Sequence, residues 1–148
     1  SVLARLSSGF AEQRSCGTLD SGYHGILNLT CSNGLLTDSH SCHKLCLTTG
    51  SVDVSIGGSV YAVSPVANIE HDQTGLVSCG SVVSGYTGDV VLTCNEGAAT
   101  ADTSACMAPC TQGQSISVTF AGEAKGLTLS SEITHGQTNT EGCNSADS

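Results

Sequence analysis

Nine cysteines occupy positions 16, 31, 42, 46, 79, 94, 106, 110 and 143 of a 148-residue chain, and eight of them fall into two sets with nearly one spacing. The first set reads C-x14-C-x10-C-x3-C and the second C-x14-C-x11-C-x3-C, so one inserted residue separates them. The surrounding text recurs too. "SGYHGILNLTCSNG" from Ser21 returns as "SGYTGDVVLTCNEG" from Ser84. The Cys-free stretches hold the same register: "SVDVSIGG" from Ser51 with "SISVTFAG" from Ser115, and "HDQTGLVSC" from His71 with "HGQTNTEGC" from His135. Self-similarity at a fixed period marks a repeat architecture, in which each unit is one small supersecondary block. The period here is about 63–64 residues. After Cys143 the chain reads "CNSADS", which matches "CGTLDS" from Cys16 at the cysteine, the Asp and the Ser. The expectation is a window onto a longer periodic protein.

Such a unit lacks the means to hold itself together by packing alone. The chain has no Trp, two Phe and three Tyr, and eighteen Gly. A domain of about 60 residues buries only some 60% of its unfolded surface, and covalent staples are the usual remedy. The cysteines are therefore read as a disulfide framework formed in an oxidising, extracellular compartment. Four Lys and Arg against thirteen Asp and Glu leave a net charge of −9. No basic stripe offers itself to phosphate, so nucleic acid is not an expected partner. No run approaches the roughly 18 apolar residues of a membrane span. "SVLARLSSGF" lacks the apolar core of a secretory signal, so residue 1 is not expected to be where a secreted precursor begins.

Alternation of apolar and polar residues points to strands. Val52, Val54 and Ile56 alternate in one segment, and Ile116, Val118 and Phe120 in its partner. Leu27, Leu29 and Cys31 form an inward set matched by Val90, Leu92 and Cys94. Short strands between Gly-rich turns predict an all-β chain of tandem, small, disulfide-stapled β-sandwich modules. The complete module is expected at 47–110, with 1–46 the C-terminal part of one module and 111–148 the N-terminal part of the next.

The phrase Y-x-x-G-x-x-x-x-T-C-x-x-G, with a further cysteine eleven or twelve residues on, resembles the sushi (complement-control) modules of extracellular proteins. The resemblance covers about 25 residues per unit. It departs at "CHKLC" and "CMAPC", where a sushi module has a Trp and a longer gap, and the Cys-free half has no sushi equivalent. Four cysteines allow three connectivities. The resemblance implies Cys16–Cys42 with Cys31–Cys46, and Cys79–Cys106 with Cys94–Cys110. Cys143 is left for an inter-module or intermolecular bond.

Asn28-Leu29-Thr30 is a glycosylation sequon, and the strand phase turns Asn28 and Thr30 towards water. Its equivalent in the next unit is Val91, so a glycan would decorate only some units. Histidines at 24, 40 and 43 cluster around Cys42, but their counterparts are Thr87, Ser104 and Met107, none of which preserves a ligand set. No structural metal is expected. His71 and His135 do repeat, inside H-x-Q-T, and read as a turn whose imidazole and amide bond nearby backbone. The carboxylates form no D-x-D-x-D run and read as a solvated surface. Ser, His and Asp sit in no recognisable nucleophile elbow, so no enzyme and no cofactor is expected.

Arrays multiply a contact surface. The reading that follows is a structural subunit of an extracellular filament, wall or surface coat. Its partners are copies of itself added head to tail, with covalently attached glycans. The alternative is a sushi-like adhesion module that recognises a protein or glycan, although binding surfaces favour aromatic and Arg anchors and this chain has two Arg.

Overall fold

The computed structural model describes residues 7–140; Cys143 lies outside them. The chain is built of short strands. In order they are β1 (Ala11–Ser15), β2 (Tyr23–His24), β3 (Ile26–Ser32), β4 (Leu35–His40), β5 (His43–Lys44), β6 (Val52–Ile56), β7 (Ser59–Val63), β8 (Thr74–Ser78), β9 (Asp89–Asn95), β10 (Ala98–Asp102), β11 (Ser115–Phe120) and β12 (Glu123–Thr128). One helical turn, α1 (Cys79–Val82), follows β8. These strands make five small sheets: β1-β3-β4, β8-β9-β10, β2-β5, β6-β7 and β11-β12. The two three-stranded sheets share one strand order, and in each a cysteine, Cys16 or Cys79, directly follows the first strand.

Four hairpins close through two-residue turns with both central residues at positive φ: Asn33-Gly34, Gly57-Gly58, Glu96-Gly97 and Ala121-Gly122. That backbone matches the right-handed twist of the flanking strands, which is why glycine ends each pair. The registers are regular, with Ser32 opposite Leu35, Asn95 opposite Ala98 and Phe120 opposite Glu123.

Contacts gather the described chain into two compact units. One comprises the stretch ending at Val54, Ala62–Val77 and Val91–Asp102; the other comprises Ser55–Tyr61, Ser78–Val90 and the stretch from Thr103 onward. In the first, Leu29, Cys46, Val54, Val63, Ile69, Val77, Leu92 and Cys94 are buried. In the second, Ile56, Cys79 and Val90 are buried. A buried Leu or Val contributes about 1.5–3 kcal/mol, so cores this small leave much to covalent bonds.

Three disulfides supply them: Cys16–Cys42, Cys79–Cys106 and Cys46–Cys94. The first and third of the repeat's cysteines lie close because a glycine lets the chain fold back between them. A Cβ on Gly88 would collide with the carbonyl oxygen of Ala105, and one on Gly25 with that of Ser41. The third bridge corrects the pairing that the sushi resemblance implies. Cys46 bonds to neither Cys31 nor any other member of its own set, and Cys94 does not bond to Cys110. The reason lies in the backbone. Cys46 and Ile69 exchange both N–H···O bonds at 2.9 Å, and the turn just beyond Ile69 grips Cys94 from both sides. There the Asp72 N–H donates to the Cys94 carbonyl at 2.9 Å, and the Cys94 N–H donates to the Gln73 carbonyl at 3.0 Å. Cys94 is thereby set against Cys46, with Cα atoms 5.8 Å apart. Cys31 faces Leu36 of β4 and stays a thiol, as does exposed Cys110.

Candidate functional site

Within the first unit the ribbon β2-β5 places His24 directly opposite His43. The turn after Ile69 brings His71 beside them, stacked on His43 with ring centroids 4.3 Å apart. The β9-β10 turn adds Glu96, whose φ of 49° turns it out of the ladder. His40 lies elsewhere on β4, opposite Leu27, so the "HSCH" pair does not act together. His135 belongs to the other unit.

The backbone fixes the proton on two of these rings. The His71 N–H donates to His24 Nε2 at 3.0 Å, and the Glu96 N–H donates to His71 Nδ1 at 3.1 Å. Each neutral ring then keeps its proton on the other nitrogen. Those nitrogens face carboxylates: His24 Nδ1 lies 3.8 Å from Glu70, and His71 Nε2 lies 3.4 Å from Asp72 and 3.8 Å from Glu96. His43 Nδ1 donates to Glu96 Oε1 at 2.5 Å, and the Lys44 N–H donates to Oε2 at 3.2 Å. The His43 bond, and after it the Lys44 bond, hold the Glu96 pKa below its ordinary 4.5.

His43, His71 and Glu96 hold their ligand atoms within 4.8 Å of one another, which is the spacing of a metal site. The lone pairs point otherwise. His71 Nδ1 accepts a backbone N–H, and its Nε2 carries the proton, so neither nitrogen is ready to coordinate a cation. The cluster is a hydrogen-bonded clasp joining three parts of the chain. The repeated H-x-Q-T turn was legible for His71, but the imidazole bonds the backbone of Glu96, 25 residues away, rather than its own turn.

Asn28 lies half-buried on β3, with its Oδ1 accepting from Gln13 Nε2 at 2.8 Å across the β1-β3 pair, while Thr30 is exposed. That bond leaves the amide nitrogen, the atom a glycan would join, uncommitted to Gln13. Comparison with known protein families, curated proteins and solved structures finds no match to this chain. Among the described residues no helix is long and apolar enough to cross a membrane.

The free thiols mark the other place of chemical interest. Cys110 and Ile133 exchange backbone bonds at 2.8 and 2.9 Å, as Cys46 and Ile69 do. Beside Cys110 lies a groove of about 170 Å³ lined by Ile116, Leu127 and Ile133. Sequence reasoning missed the Cys46–Cys94 bridge and Glu96. Spacing within a cysteine set carries no signal for the first; the grip of the Asp72-Gln73 turn on Cys94 decides it.

Proposed function

We propose that this chain is a structural component of an extracellular filament, wall or surface coat, secreted and built from tandem disulfide-stapled β modules joined head to tail. The observation that carries the reading is the Cys46–Cys94 bridge. Cys46 closes the first cysteine set and Cys94 is the second member of the following one, so the bridge joins the two cysteine sets. A free-standing adhesion module keeps its bridges within itself; a pattern that reaches forward can be continued indefinitely. Three disulfides support an oxidising environment. The clasp of His24, His43, His71 and Glu96 supports a structural role, because its polar atoms are engaged with one another and with backbone. A glycan on Asn28 belongs to the same reading. Negative-stain microscopy and sedimentation of the protein from its natural source test it. Filaments or sheets with an axial repeat of about 25–30 Å, the size of one small module, are expected. Discrete soluble monomers would overturn it.

A further inference from the structure

Three imidazoles meet in one corner of the first unit. The His24 and His43 ring centroids lie 5.9 Å apart, and the His43 and His71 rings stack at 4.3 Å. The His24 and His71 side chains are only 23% and 17% exposed. Histidine is the side chain that ordinarily changes charge between pH 5 and 8, so the corner concentrates a charge change in that range. The backbone does not require these residues. In the next repeat Thr87 and Met107 stand where His24 and His43 stand here, and they still exchange both backbone bonds, at 3.1 and 2.9 Å.

Two of the rings work as acceptors. The His71 N–H donates to His24 Nε2, and the Glu96 N–H donates to His71 Nδ1. An imidazolium carries a proton on each nitrogen and accepts nothing. Both bonds therefore exist only while the rings are neutral. On a charged ring, N–H would face N–H at 3.0–3.1 Å, and the two must part. Charged groups face the rings from each element of the clasp. Glu70 and Asp72 flank His71 in its own turn, Glu96 comes from the β9-β10 turn, and Lys44 follows His43 on β5 with its stem alongside Gly97. The three carboxylates lie 3.4–3.8 Å from the outer nitrogens of His24 and His71. They favour a proton on the rings without restoring a lone pair to the backbone.

The turn pinned in this way is the one that grips Cys94 through Asp72 and Gln73. We propose that His24 and His71 form an acid-released latch: neutral, they pin the 70–73 turn to β2 and to the β9-β10 turn, and protonated, they let it go. The latched state excludes protons that the released state binds, so falling pH favours release. Release is local. The Cys46–Ile69 backbone bonds and the Cys46–Cys94 bridge keep the parts tethered, so the turn reseats when the rings lose their protons. His43 behaves in the opposite way. Its Nδ1 already donates to Glu96, and a charge on the ring strengthens that pair until Glu96 itself takes up a proton. The latch is a property of the chain, whether or not copies assemble into a filament.

The test uses the whole 148-residue chain, ¹⁵N-labelled, with its disulfides intact. At pH 7.5, imidazole ¹⁵N spectra should place the proton on Nδ1 of His24 and on Nε2 of His71. Amide hydrogen exchange reads the latch itself, because the His71 and Glu96 N–H groups are its donors. Measured against free-peptide rates at each pH, their protection should fall roughly tenfold between pH 7.5 and 5.5, while the Cys46 and Ile69 amides keep theirs. A second chain carrying His24→Gln and His71→Asn offers uncharged oxygen acceptors in place of the two ring nitrogens. Its amides at positions 71 and 96 should be protected equally at both pH values. Unchanged protection in the parent would overturn the latch, as would a double variant whose protection falls as far as the parent's. The opposite tautomer on either ring at pH 7.5 would overturn it too, and this reading of the parent stands even where the variant folds poorly.

Discussion

Glu96 occupies a left-handed turn position and directs its carboxylate at His43 and at the backbone of Lys44, more than fifty residues earlier in the chain. Both donors favour the charged form, so its folded pKa lies below the unfolded value near 4.5. A carboxylate with a lowered folded pKa stabilises the fold above the unfolded value and loses that contribution as pH falls through the folded one. Glu96→Gln should therefore melt at a lower temperature than the parent at pH 7. The gap should close as pH falls below 4.5 and be absent under strongly acidic conditions. Melting curves by circular dichroism across that range check the sign; a gap that widens in acid would refute the assignment. The residue was not legible beforehand. Its counterpart in the preceding unit is Asn33, and nothing local announces a partner so far away. His71 was legible as a repeated turn residue, although its hydrogen-bond partner was not.

At the scale of elements the strands were readable because the alternation is regular and each hairpin turn carries glycine second. β9 shows the pattern at its fullest, with Val90, Leu92 and Cys94 all at 0% exposure. The pairing of Cys46 was not readable, because spacing within a set says nothing about which strand a turn will grip. The Asp72-Gln73 turn decides it by holding the backbone of Cys94. The bridge closes 48 residues, against 26 for Cys16–Cys42. Loop closure alone gives it about 4 kcal/mol. Replacing both Cys46 and Cys94 with Ala should remove stability of that order in urea unfolding. A loss below about 1 kcal/mol would mean that the bridge contributes little to the fold.

Across the whole molecule the bridges define a second covalent route beside the backbone. From Ser15 it passes one step to Cys16, crosses to Cys42, and runs four steps to Cys46. It then crosses to Cys94 and runs thirteen steps to Met107. At 3.3–3.6 Å per residue, and with bridges that span 5.7 and 5.8 Å between Cα atoms, that route reaches only about 70–75 Å, whereas the full backbone between the same ends reaches roughly 310 Å. Optical tweezers with handles at those two positions should meet a hard stop near the shorter length, and adding a thiol reductant should release the longer one. A chain that draws out to full contour while oxidised would contradict the bridge assignment. The Cys46–Cys94 bond thus has a mechanical meaning. It makes the stretch an almost inextensible cord whose slack is locked in loops, with its elasticity governed by the redox state of the surroundings.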